Sequence, residues 1–234
     1  MIRKIKVFFV MMSVIFIGGV FTSAYFSDNV STTNNTFMAG VWSVTPISIP
    51  TPTGPSASDV VINELMWMGS TVNSDDEWIE LRNMTGSSIN ISGWKISKLS
   101  TSEVLMLTIP SGSTIAANGY YLISKFDKDD TNSALNVDPD LVSTVGLRNS
   151  NLQIKLYSGS ISPANLIDTA DDGSGSPLVG YDNGLPGPRQ SMIRNAIPGD
   201  GTLDGNWSTD TTHNPTTYWD SEGGNYGTPG GPNV

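Results

Sequence analysis

The stretch Val61-Ile62-Asn63-Glu64-Leu65-Met66-Trp67, followed by Asp76-Glu77-Trp78-Ile79-Glu80-Leu81-Arg82-Asn83 and by Ile91-Ser92-Gly93-Trp94-Lys95-Ile96, decides how this chain is read. Each block is dense in β-branched and aromatic residues, and turn-forming Gly, Ser and Asn separate the blocks. In the second block Ile79 and Leu81 point to one side of a strand and Trp78, Glu80 and Arg82 to the other. One half-buried face per strand is the pattern of antiparallel sheets packed face to face. Trp78 and Trp94, on strands expected to be neighbours, are large enough to fill the space between two sheets. Trp94 is the better candidate, because Trp78 shares its face with Glu80 and Arg82. Gly93 lets the chain bend just before Trp94. Asn83 and Asn90 flank residues 84–89, where Asx turns and Gly86 would close a hairpin.

Outward from these blocks the pattern continues. Short β runs are predicted at 60–68, 77–84, 89–97, 104–109, 120–126, 141–145 and 152–157, and a last one near 191–196. No window beyond the N-terminal segment shows helical periodicity. Residues 171–190 and 198–230 are rich in Gly, Pro, Asp and Asn, yet they carry Leu178, Trp207, Tyr218 and Trp219, apolar groups worth burying. They are expected to loop back onto the sandwich.

At the other end, Arg3, Lys4 and Lys6 precede an uncharged run over residues 7–21, and Thr22-Ser23-Ala24 supplies small residues for cleavage after Ala24. This is the layout of a secretory signal peptide, with an uncleaved membrane anchor as the alternative. Pro46, Pro50, Pro52 and Pro55 then forbid a helix or central strand, so residues 25–58 read as a semi-rigid Pro/Thr-rich linker. The expected organisation is a signal helix at 1–24, a linker at 25–58, a β-sandwich at 59–170 and a loop-rich extension at 171–234.

Composition narrows the chemistry. The 234 residues include no Cys and one His, His213, which removes disulfides, thiolate metal sites, cysteine nucleophiles and multi-histidine centres. Twelve Lys and Arg against 22 Asp and Glu give a formal net charge of −10, unlike a phosphate-tracking protein. Glu64, Glu77 and Glu80 could be imagined as a glycosidase pair. Their plainer role is on strands or turns, facing Arg82 or solvent. Asp168, Ser191 and His213 supply the letters of a Ser–His–Asp triad, but no Gly-x-Ser-x-Gly elbow surrounds Ser191. Asp127, Asp129 and Asp130 make an oxygen-rich loop that could take Ca²⁺, although the spacing is not that of an EF-hand. Asp168, Asp171 and Asp172 form a second acidic loop, and Asp200, Asp204 and Asn206 a third.

The three opening blocks resemble the lamin tail domain family. The likeness extends through Ile109-Pro110, Thr114-Ile115-Ala116-Ala117-Asn118-Gly119-Tyr120, and from Leu147-Arg148-Asn149 to Leu166-Ile167-Asp168. Ser191-Met192-Ile193-Arg194, Asn206-Trp207 and Gly227-Thr228-Pro229-Gly230-Gly231-Pro232-Asn233 resemble the closing motifs of bacterial members. The resemblance implies an all-β, immunoglobulin-like sandwich with a C-terminal extension, acting as a binding or tethering module. Ala24-Tyr25-Phe26-Ser27-Asp28 and Asn35-Thr36-Phe37-Met38-Ala39-Gly40 are similar to the exit region of SipW-type signals in camelysin-like surface proteins. Together these readings predict a non-enzymatic, secreted or cell-surface protein of structural, adhesive or tethering function. An envelope glycan or partner protein is the expected ligand, and nucleic acid is not. The other readings are a recognition module for such a ligand or, less in keeping with the motifs, a hydrolase. No cofactor is expected, with Ca²⁺ the single candidate ion.

Overall fold

The computed structural model describes residues 56–184, 187–219 and 224–233. The signal or anchor segment, its cleavage point and the linker as far as residue 55 lie outside them. Ten strands build two sheets: β1 (Val60–Met66), β2 (Trp78–Asn83), β3 (Lys95–Leu99), β4 (Glu103–Thr108), β5 (Tyr120–Ser124), β6 (Leu141–Val142), β7 (Ile154–Tyr157), β8 (Leu166–Ala170), β9 (Met192–Arg194) and β10 (Trp207–Thr209). The first sheet has the order β10-β9-β1-β2-β5-β6 and the second β8-β7-β3-β4. All neighbours are antiparallel except β5 with β6. The fold is therefore an all-β sandwich. Its helical content, among the described residues, is two short 3₁₀ turns. No described helix is long and apolar enough to cross a membrane.

The period-2 pattern explains the packing. Ile79 and Leu81 of β2 pair with Leu65 and Ile62 of β1 and with Ile123 and Tyr121 of β5. These side chains face Ile96 of β3 and Ile154 and Leu156 of β7 in one continuous core. Every residue of β1 is buried, so both faces of this strand are covered. A bulge between Ile62 and Glu64 makes Asn63 the extra residue and brings Glu64 directly opposite Glu80.

Three local expectations change. The run 89–97 is not one strand. Ile89 and Asn90 pair with Ile115 and Thr114, and the chain turns at Gly93, φ +76°, before β3 begins. Residues 84–89 therefore close no hairpin. Instead the Asn83 amide donates to the Ser87, Ile115 and Ala116 carbonyls at 2.7, 3.2 and 2.9 Å, fixing this corner. Trp78 and Trp94 do not sit on neighbouring strands. β2 lies in the first sheet, and Trp94 immediately precedes β3 of the second.

Trp78 is nevertheless wholly buried, as Trp94 nearly is. Its ring lies 6.2 Å from that of Trp219, on the face of β2 that also carries Glu80. The apolar groups of the C-terminal segment thus cover the outer face of the first sheet, while β9 and β10 extend that sheet sideways. Gly69 is required where β1 ends: φ is +71°, and a Cβ there would strike the Ser74 carbonyl.

Candidate functional site

The chemistry-bearing residues converge on the outer face of β1 and β2. Glu64 and Glu80 are cross-strand partners, and neither is exposed to solvent. The Ser191 hydroxyl donates to Glu64 Oε1 at 2.5 Å. The Thr228 amide donates to the same oxygen at 3.1 Å, and Thr228 Oγ1 to Oε2 at 3.0 Å. Glu80 accepts from Asn63 Nδ2 and from the Gly230 amide, each at 2.6 Å. Asn63 Nδ2 also reaches Asn233 Oδ1 at 2.8 Å, and Asn233 Nδ2 donates to the Arg194 carbonyl at 2.8 Å. Trp219 Nε1 donates to the Gly227 carbonyl at 3.3 Å. The closing segment is thereby stitched across the sheet at four successive points.

Burial dominates the electrostatics. Desolvation holds both carboxyls well above the usual glutamate range, Glu64 further against Asp210 and Glu80 against Glu64 itself. No ion pair reaches either of them among the described residues. The expectation that they face Arg82 or solvent is thus corrected. Arg82 donates to the Ala196 carbonyl at 3.5 Å and sits over the Tyr120 ring. Glu77 is buried too, accepting the Leu147 amide at 3.0 Å, and desolvation pushes it up to about 7. Closed off from solvent, Glu64 and Glu80 have no room for a sugar ring between them.

The triad letters are not assembled. Ser191 is held by Glu64. His213 Nδ1 meets the Asn225 carbonyl at 2.7 Å. Asp168 pairs with Arg194 at 3.2 Å and accepts the Ile62 amide at 2.8 Å, tying β8 of one sheet to β9 and β1 of the other. Arg194 also lies over the Trp207 ring at 4.6 Å and donates to the Gly199 carbonyl at 2.6 Å. In the acidic loop, Asp127 accepts the Asp129 amide at 3.0 Å, Asp130 accepts the Asn132 amide at 2.8 Å, and Asp129 pairs with Lys128 at 2.7 Å. Among the described residues no group of three acidic or histidine side chains is placed to hold a metal ion.

A family model described as the lamin tail domain matches residues 53–173, just over half of the chain. The chain belongs to the lamin tail domain family. No curated protein matches it. The family is an immunoglobulin-like, non-catalytic domain, in keeping with the sandwich observed. In this lamin tail domain Asn63, Glu64 and Glu80 fall inside the matched span. Ser191, Thr228, Gly230 and Asn233, which engage them, all fall beyond it.

Sequence reasoning did not assign Asn63, Thr228, Asn233 or Trp219 to this cluster. One signal for it was present. Residues 60–66 form a nearly unbroken apolar run, the mark of a strand buried on both faces, and Asn63 and Glu64 interrupt it. Polar groups in such a run need dedicated partners.

Proposed function

We propose that this chain is an exported cell-envelope protein whose lamin tail domain works as a non-catalytic tether or adhesive module. The domain contacts an envelope partner protein or glycan. The observation that carries the non-catalytic reading is the spending of every candidate catalytic carboxylate on the fold. Glu64, Glu77 and Glu80 are buried and bonded to backbone or side-chain donors, and Asp168 is paired with Arg194. The family itself supports a role in protein interaction. Export is supported by the basic start, the apolar run over residues 7–21 and the small residues at Thr22-Ser23-Ala24. A Pro/Thr spacer between a surface and a folded module suits a tether.

Expression in a bacterial host, followed by fractionation and intact mass, tests the export half. Export predicts a chain at or outside the membrane that begins near Tyr25, or a membrane-held full-length chain. A full-length chain in the cytosol overturns it. Photo-cross-linking on intact cells, together with a glycan array, tests the binding half. Saturable capture without turnover supports the tether, and turnover of a captured glycan or peptide overturns it.

A further inference from the structure

The middle of the closing segment, residues 227–233, is fastened by acceptor oxygens that belong to two acids, while its ends are held by the Thr212 and Arg194 carbonyls and by Trp219. Glu64 takes Thr228 and Glu80 takes Gly230, with Asn63 bridging Glu80 to Asn233. The two acids stand opposite each other in register, on one face, with no exposure to solvent. The groups facing them from each packed element are Ser191 ahead of β9, Asp210 after β10, Tyr218 beside Trp219, and Arg82 and Tyr120 on β2 and β5. Asp210 adds a third acid, wholly buried, with Oδ2 unpartnered. Arg82 is turned to Ala196 and Tyr120. Two carboxylates side by side out of water, without a cation between them, cannot both ionise cheaply.

We propose that residues 227–233 form a pH-released strap: the strap can shut Glu64 and Glu80 away from water while the pair keeps at least one proton, and rising pH favours opening because water solvates the two carboxylates, a gain that outweighs the stronger bonds that Thr228 and Gly230 make to an ionised carboxylate. The released segment takes its cover away from Glu64, Glu80 and the edge of Trp219 while the two-sheet core beneath persists. Local opening of this kind is expected where one short segment closes a sheet and backbone amides supply its bonds. The direction follows from linkage. The strapped state binds more protons than the open one, so opening is favoured as pH rises, by about tenfold per pH unit for one proton released.

Hydrogen exchange of the Thr228 and Gly230 amides in the full-length chain, normalised to an unstructured peptide of the same sequence, reads the opening directly across about pH 6 to 9.5. The expected result is protection that already falls about tenfold per pH unit from about pH 6 and levels off above the folded value of Glu64, about 8, while β2 and β5 amides keep theirs. Glu80→Gln and Glu64→Gln retain a carbonyl acceptor and remove the charge, so each should flatten the slope. If one variant fails to fold, the other carries the comparison. A flat wild-type profile overturns the strap, as does an unchanged slope in a folded variant. Loss of β2 protection at the same pH also overturns it, because the event would then be global unfolding.

Discussion

At Gly227 a single added carbon would stand 2.7 Å from Glu64 Oε1 and 3.2 Å from the Trp219 ring. Gly227→Ala should therefore push the closing segment off Glu64 and cost roughly 1–3 kcal/mol, the usual range for overpacking, as read by urea denaturation. Trp78 and Trp219 test the burial of the outer face. Each truncation to Ala is expected to cost roughly 3–5 kcal/mol, and the double variant less than the sum, because the two rings touch. Additive losses would mean that the rings do not support one another. Asp168→Asn probes a different bond. It leaves the Arg194 guanidinium, 1% exposed in its side chain, without its counter-charge, and a loss of about 3–5 kcal/mol is expected. A loss below about 0.5 kcal/mol would show that Trp207 and the Gly199 carbonyl suffice to hold the charge. Trp78 and Trp94 were readable as core candidates from size and strand context, Trp94 the better of the two. The wall that Trp78 meets was not, since Trp219 lies far along the chain in a segment whose composition suits loops.

Among the elements, the outer strand of the second sheet behaves unlike the rest. β4 has one neighbour among the described residues, and Val104 and Leu105 are exposed. Met106 is an extra residue against β3, and such a bulge bends an edge away from continuous pairing. Leu105→Lys should consequently change stability by less than about 0.5 kcal/mol and leave the melting curve in place. A larger loss would reveal a contact that covers this edge. The opposite edge, β8, is closed by the chain itself. The Asp171 amide donates to the Gly201 carbonyl at 2.9 Å, and Trp207 Nε1 to the same oxygen at 2.8 Å. The existence of β4 was legible from its β-branched run, whereas β8 and β10 fall in no predicted run. Strand partnership was not legible, because β9 and β10 are three residues long and are defined by the strands they join.

Taken whole, the molecule buries a minority of its acids, and these govern its response to pH. Burial raises Glu64, Glu77, Glu80, Asp168, Asp171 and Asp210, whereas the lowered groups, Glu103 and Asp200, are hydrogen-bonded near the surface. A raised group binds its proton more tightly in the folded state. Its stabilising effect is complete below the unfolded value, 4.5 for Glu77, and is lost as pH rises through the folded one, about 7. The melting temperature should therefore be higher at about pH 5.5 than at about pH 8.5, and Glu77→Gln should narrow the gap. A melting temperature that climbs with pH would contradict the burial of these acids. The cations are dispersed by the same folding. Lys125, Lys128 and Lys155 pair with Asp75, Asp129 and Glu103, and Arg189 and Arg194 are buried. Gel-shift titration with duplex DNA at about 0.15 M salt is expected to show no complex at micromolar protein. A salt-sensitive complex would reveal a basic face. The family, most of the strands and the absence of cysteine chemistry were determined by the sequence alone, because motif residues, period-2 patterning and turn residues act between near neighbours. The fate of Glu64, Glu80 and Trp78 was decided by tertiary structure. Apart from Asn63, the partners of the two acids stand 127 to 164 residues away, and only the closed fold brings them within hydrogen-bond reach and shuts out the water that would keep those carboxylates charged.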